Sequence, residues 1–172
     1  MFFSALKEQD RRQLYVYTAA TDSIEEIVLN YSYNGVPNQV EFCAFQDGVV
    51  FTGNGNGYFN FEPWFSDGTV EGTYQIKDLY PGESGAGGGG YIEYDGRVFF
   101  SANVLLGSEL YVTDLTEQGT DMFMNIGQLS AYPHEFTIFN DLLFFSAEES
   151  NLVGEELWRT DGTPQGTMMV RS

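Results

Sequence analysis

Apolar and polar positions alternate along this chain in short runs. Between residues 91 and 126 the stretches "YIEYD" (91–95), "VFFSA" (98–102), "ELYVT" (109–113) and "DMFMNI" (121–126) are rich in Phe, Tyr, Val and Ile and are separated by turn residues. This is the pattern of short β-strands. No stretch keeps a helical period over three turns. Asp47-Gly48, Asp95-Gly96 and Asn140-Asp141 are predicted as two-residue hairpin turns, because Gly, and less easily Asp or Asn, accepts the positive φ such turns need. Asp67-Gly68 and Asp161-Gly162 mark a second kind of turn, after an aromatic strand.

The pattern repeats. "EELWRTDGTPQGT" (155–167) returns as "EPWFSDGTVEGT" (62–73) and "ELYVTDLTEQGT" (109–120); Trp64, Tyr111 and Trp158 are 47 residues apart, and a further step of 49 reaches Tyr15. "MFFSA" (1–5), "VVFTG" (49–53), "VFFSA" (98–102) and "LFFSA" (143–147) run in phase with the aromatic string. Two markers sharing one period identify an internal repeat of solenoid or propeller size. Four antiparallel strands in each period match one propeller blade. The expectation is an all-β chain, a β-propeller-type array of about four four-stranded antiparallel blades. It forms a single repeat domain over 1–172, with units at approximately 1–35, 36–82, 83–130 and 131–172.

The first unit has no strand equivalent to "VEFCAF" (40–45), "YIEYD" or "EFTIFN" (135–140), so fifteen of sixteen strands are expected. Met1 stands where Leu143 stands in the last unit. An incomplete blade and two uncovered end faces lead to a further expectation: the chain is a segment of a longer array, or it associates with copies of itself, two chains supplying eight blades.

"ELWRTDGTPQGT", the preceding "FFSA" strand, "IKDLYPG" (76–82) and "FTIFND" (136–141) together resemble the bacterial ELWxxDGT-repeat family, whose members are mostly large secreted or surface-attached proteins. The likeness covers nearly the whole chain and is weakest in the first unit, where "YTAATDSIEE" (17–26) has lost the Asp-Gly turn and the following Gly-Thr. Asp114-Leu115-Thr116 has also lost its Gly. The resemblance implies a propeller-like array at a cell surface or outside the cell, and it implies no particular activity.

Composition narrows the partners. Seven Lys and Arg against 25 Asp and Glu give a formal charge of −18, which argues against nucleic acid and against insertion into anionic membranes. Hydrophobic residues at 42%, with fifteen Phe, eleven Tyr and two Trp, supply a sizeable core and exclude a disordered acidic tail. Cys43, the one cysteine, lies in an apolar run and reads as a small core residue. No run of 18 apolar residues is present, and the N-terminus lacks the basic start and apolar stretch of a signal peptide.

Little in the chain suggests catalysis. The single histidine, His134, is read as a loop residue with no Ser or Cys marker beside it, and one His with one Cys falls short of a zinc site. The Gly-rich run "SGAGGGG" (84–90) lacks the Lys-Ser or Lys-Thr of a phosphate loop and reads as a flexible linker. Carboxylates for glycoside hydrolysis are abundant, but nothing selects a pair.

Two constellations remain. Asp67, Asp114 and Asp161 either hold calcium or serve as turn residues, and turn chemistry explains them with less. Tyr15, Trp64, Tyr111 and Trp158 each follow an acid or amide by two residues, Gln13, Glu62, Glu109 and Glu156, and so share a strand face with it. An open face would form an aromatic floor for sugar rings, whereas a closed one would pack between blades. The expected role is a non-enzymatic extracellular module for adhesion, scaffolding or binding of carbohydrate or other surface proteins. A filament subunit and a carbohydrate-active enzyme using Asp and Glu are the alternatives.

Overall fold

The computed structural model describes residues 1–6, 12–27, 40–54, 60–82, 84–105, 107–127, 130–149 and 154–170. The expected boundary between the first two units, at 35–36, lies outside the described residues. Among these residues there are fifteen strands and no helix, arranged as four antiparallel sheets in which strand order follows chain order. The first sheet contains β1 (Phe2–Leu6), β2 (Arg12–Thr18) and β3 (Ser23–Ile27). The second contains β4 (Cys43–Phe45), β5 (Gly48–Asn54), β6 (Phe61–Ser66) and β7 (Thr73–Gln75). The third contains β8 (Gly89–Tyr94), β9 (Arg97–Val104), β10 (Gly107–Thr113) and β11 (Asp121–Met124). The fourth contains β12 (His134–Phe139), β13 (Leu142–Glu148), β14 (Glu155–Thr160) and β15 (Met168–Met169). Among the described residues the first sheet has three strands where the others have four, as the sequence predicts. The chain divides into two compact units: Met1–Gly87 holds the first two sheets and Gly88–Ser172 the last two. No helix of the described residues is long and apolar enough to cross a membrane.

One register recurs in every sheet. Phe3 stands opposite Tyr15, Phe51 opposite Trp64, Phe100 opposite Tyr111 and Phe145 opposite Trp158. Because side chains alternate along a strand, these pairs line one face of each sheet, here called the front. The back carries the neighbouring pairs Phe2–Val16, Val50–Phe65, Phe99–Val112 and Phe144–Arg159. Inside the first unit, Phe2, Leu14, Val16 and Ile27 on the back of the first sheet pack against Val49, Phe51 and Trp64 on the front of the second. Inside the second unit, Phe99, Leu110 and Val112 pack in the same way against Leu143, Phe145, Ala147 and Trp158. The Tyr94 hydroxyl donates to the Asp141 carbonyl at 2.7 Å and the Arg97 guanidinium to the Gly162 carbonyl at 2.6 Å, fastening this second seam at its turn end. Cys43 is buried in the second sheet, as its apolar setting predicts.

Three local expectations are corrected. Asp95-Gly96 and Asn140-Asp141 form their turns with all four φ values positive, but in the second sheet the turn residues are Gln46 and Asp47, and Gly48 already pairs with Phe45. Gly48 is glycine for a different reason: a Cβ there would run into the Ser66 carbonyl oxygen and the Phe65 ring. The run 84–90 is not a free linker. Gly87 N–H donates to the Phe61 carbonyl at 2.9 Å, the Asn60 side chain donates to the Gly82 carbonyl at 3.0 Å, and Gly89 and Gly90 already belong to β8. Gly85 lies so close to the Phe61 backbone that no side chain fits. His134 opens strand β12 rather than sitting in a loop, its ring facing the Tyr132 carbonyl at 2.8 Å and Glu155 at 3.6 Å.

The adjacent aromatic residues of the third and fourth units also predict that Phe99, Phe100, Phe144 and Phe145 are buried. Phe99 and Phe100 are both fully buried, yet β13 alternates: Phe145 is 1% exposed while Phe144, on the back of the fourth sheet, is only partly covered. Phe145→Ala is therefore expected to lower stability by about 3–5 kcal/mol and Phe144→Ala by less than about half as much. Urea or thermal unfolding of the two variants measures the difference.

Candidate functional site

The Asp of each repeat heads a six-residue turn, and the same hydrogen bonds form three times. Asp67 Oδ1 accepts from the Thr69 N–H and from its hydroxyl, each at 2.8 Å. Asp114 accepts from Thr116 at 2.9 and 2.6 Å, and Asp161 from Thr163 at 2.9 and 2.7 Å. The same threonine hydroxyls accept from Gly72, Gly119 and Gly166 N–H at 2.9, 2.9 and 3.0 Å. A Cβ on any of these glycines would fall inside the carboxyl group of Asp67, Asp114 or Asp161 respectively, which explains why Gly stands five residues after Asp. The closing Thr73, Thr120 and Thr167 hydroxyls reach back to the Thr69, Thr116 and Thr163 carbonyls. They also pair with Ser66, Thr113 and Thr160 across the strand ends at 2.7, 2.6 and 2.7 Å. Every letter of D-G-T-x-x-G-T thus has a bonding role.

The position after Asp must be left-handed: φ is 96° at Gly68 and 87° at Gly162, and Leu115 is held at 75° where the third repeat has lost its glycine. Hydrogen bonds from the Thr side chains, then from the Thr backbone, hold the Asp67, Asp114 and Asp161 carboxyls below their ordinary pKa. The three carboxylates sit in three different sheets, one to a turn. Among the described residues no group of three or more His, Cys, Asp or Glu comes together to hold a metal ion. The turn chemistry accounts for the recurrence of these aspartates.

The glutamates of the aromatic strands do something the sequence did not reveal. Glu62 is completely buried; its Oε2 accepts from Leu79 N–H at 3.0 Å, and its Oε1 from Tyr80 and Ala86 N–H at 3.3 and 3.0 Å. Glu109, equally buried, accepts from Ile126 N–H at 2.8 Å. Each carboxylate thereby fixes the segment leading out of its own sheet. The available signal was spacing, since Leu79 and Ile126 both lie 17 residues after their glutamate. Burial pushes both carboxyl groups above 4.5, against the opposing pull of the backbone N–H groups. Glu156 is only half-buried, and Gln13 is buried on β2.

The aromatic series does not form an open floor. Trp64, Tyr111 and Trp158 are 1%, 3% and 6% exposed, and the two tryptophans lie in the sheet-to-sheet seams of their own units. For these three the closed alternative holds, each ring being buried and the two tryptophans packed between sheets. Tyr15 differs: it is partly exposed on the front of the first sheet and stacks on Phe3 with ring centroids 5.5 Å apart. An open hollow of about 810 Å³ in the second unit is lined by Glu149, Trp158, Arg159, Met168, Met169 and Val170. Its lining has one acid, one base and an apolar floor, and neither a nucleophile–base pair nor two facing carboxylates.

No family of known proteins and no curated protein matches the chain in sequence. Solved structures do match in shape. The chain is similar to the β-propeller domain of the Trilobed protease from Pyrococcus furiosus, described as having an open velcro topology (TM-score 0.63, 13% identity, 99% of this chain and 50% of that one). It is also similar to TolB from Acinetobacter baumannii (0.62, 13%, 98% and 39%) and to Pyrococcus horikoshii acylaminoacyl peptidase (0.60, 12%, 99% and 25%). At such identities the likeness shows the fold, which is that of a β-propeller. The chain spans half or less of the length of these structures.

Two consequences are measurable. Leu115→Gly removes the left-handed strain of a branched side chain and is expected to stabilise the fold by roughly 0.5–1 kcal/mol, net of the larger unfolded-state entropy of glycine. An unchanged or lower melting temperature would show that the Leu115 side chain earns its place by packing. Glu62→Gln sets an amide NH₂ against backbone N–H donors and is expected to cost about 1–3 kcal/mol.

The two sets of acids have opposite pH signatures. With folded pKa values above 4.5, Glu62 and Glu109 lend most stability below pH 4.5, and that contribution is lost as pH rises through their folded values. The turn aspartates, depressed from 3.8, contribute above that pH and lose their contribution as pH falls through their folded values. Melting curves across the acid range should therefore show a shallower decline with rising pH in Glu62→Gln than in the parent chain.

Proposed function

We propose that this chain is a non-enzymatic propeller module of a secreted or cell-surface protein of the ELWxxDGT-repeat kind, serving adhesion, scaffolding or ligand binding. One observation carries the reading: the acids and aromatics that recur are engaged in the fold itself, in equivalent ways from sheet to sheet. Asp67, Asp114 and Asp161 close turns, Glu62 and Glu109 hold backbone, and Trp64 and Trp158 fill seams. An enzyme concentrates such groups at one pocket. Here they are distributed, which suits a scaffold whose binding specificity lies in side chains that differ between repeats.

Incubating the purified chain with immobilised polysaccharides and surface proteins, while following both retention and product, tests this. Saturable retention without product is the expected outcome. Turnover of a glycoside that survives repurification, and that disappears on replacing an acid outside the three turns, would install the carbohydrate-active reading instead.

A further inference from the structure

Four peptide bonds of the chain join Asp to Gly: Asp47-Gly48, Asp67-Gly68, Asp95-Gly96 and Asp161-Gly162. With no Cβ on the second residue, the amide nitrogen of such a pair is free to close on the aspartate side chain, forming a five-membered succinimide. The structure restrains three of the four. In the two repeat turns both reacting groups are engaged: Thr69 and Thr163 hold the Asp67 and Asp161 carboxylates, while Gly68 and Gly162 N–H donate to Ser66 Oγ and Thr160 Oγ1 at 3.1 and 3.0 Å. Those hydroxyls are paired in turn with Thr73 and Thr167, and a neutral hydroxyl is too weak a base to remove an amide proton. At Asp47, Gly48 already belongs to β5 and lies pressed against the Ser66 carbonyl and the Phe65 ring, which fixes its backbone.

Asp95-Gly96, the turn between β8 and β9, is different. The Asp95 side chain is 68% exposed; among the described residues its carboxyl accepts no hydrogen bond, and Arg97 stands 3.9 Å away. A Cβ on Gly96 would meet nothing within 4 Å, so ring closure has open space. Gly96 N–H donates to Glu93 Oε1 at 3.2 Å. Here a carboxylate, not a hydroxyl, faces the amide proton, at a distance from which a general base acts.

We propose that Asp95 is a site of spontaneous isomerisation to isoaspartate, with Glu93 as the base that promotes it. Glu93 takes the Gly96 amide proton as the nitrogen bonds to Asp95 Cγ; the carboxyl, protonated from solvent, loses its hydroxyl, which leaves as water with the proton that Glu93 returns. Water then adds to the ring. Opening at the side-chain carbonyl restores Asp95, whereas opening at the main-chain carbonyl breaks the original peptide bond and routes the chain through Cβ. No electrons change hands, and water is the only co-reactant. The consequence lies in the flanking residues. The longer backbone separates Tyr94 from Arg97, whose side chains fasten the third sheet to Asp141 and Gly162 of the fourth, so isomerisation loosens that seam as the molecule ages. This holds whatever the chain binds.

Incubating the folded chain at neutral pH and mapping its peptides by chromatography and electron-transfer fragmentation tests the proposal. Isoaspartate is expected at Asp95 at least about tenfold faster than at Asp47, Asp67 or Asp161, and Glu93→Gln is expected to slow it by about the same factor. In concentrated urea all four bonds should convert at similar rates, with no effect of Glu93→Gln. The isomerised chain, separated from the parent, should melt at a lower temperature. Conversion at Asp161 as fast as at Asp95 in the folded chain would overturn the proposal. So would a Glu93→Gln chain converting at the parent rate, or a preference for Asp95 that persists in urea and so owes nothing to the fold. An isomerised chain that melts with its parent would overturn the link to the seam.

Discussion

A sheet whose middle strands are apolar on both faces has to be covered twice, and the rest of this structure follows from how that is done. Phe99 and Phe100 are adjacent on β9, point to opposite sides and are both buried. Within each unit two sheets pair for this purpose, the back of the first against the aromatic front of the second and the back of the third against the aromatic front of the fourth. The front needs a large flat pair, Phe51 with Trp64 or Phe145 with Trp158, to fill the gap between two twisted sheets. The back needs smaller residues such as Leu14, Val16, Leu110 and Val112 to receive it. The period of the sequence is the period of the sheets that meet in these seams.

Stacking creates a polar problem, which the glutamates solve. The chain leaving one sheet must cross to the next, and its backbone N–H groups become buried without strand partners. A carboxylate accepts several such donors at once, as Glu62 does from Leu79, Tyr80 and Ala86. Burial of the acid raises its pKa, so the fold carries desolvation strain there in return for a fixed crossing. The aspartates face the opposite situation. They lie at the exposed end of the hairpin, where solvent already stabilises the charge and the Thr hydroxyl and N–H stabilise it further. Identical chemistry, a carboxylate accepting N–H bonds, thus shifts pKa in opposite directions according to depth.

What the sequence made legible was local or periodic. Strand faces could be read because alternation is a property of neighbouring residues, and Asp95-Gly96 could be placed because two residues determine that turn. Gly48 was misread as a turn residue, and Gly85 as slack, because each is glycine to let another backbone pass close by. Such a reason comes from residues far along the chain and leaves no local trace. The burial of Trp64 and Trp158 was open for the same cause: alternation says which face a ring is on but not what lies against it. Phe144 shows the limit most plainly, since its sequence surroundings match those of Phe99 and only its place in the stack differs.

A repeat also changes where function should be sought. Residues that recur at turns and seams are fixed by demands common to the sheets that share them, so they cannot distinguish one of those sheets from another. Information about partners must then reside in departures from the repeat. Arg159 is one, a cation on a face that is elsewhere aliphatic or aromatic. The β12 region is another: Tyr132 and Glu135 are held at φ 48° and 56°, and the ladder shifts between His134 and Thr137, leaving Tyr132 exposed. Backbone strain of this kind persists only where surrounding contacts enforce it. In Leu115 the departure is a lost glycine that the turn network still forces into its old conformation, which shows how strongly the repeat constrains its members. In Arg159 the departure changes the chemistry of a surface without disturbing the register beneath it, and a substitution of that kind lets one copy of a repeat acquire a role the others lack.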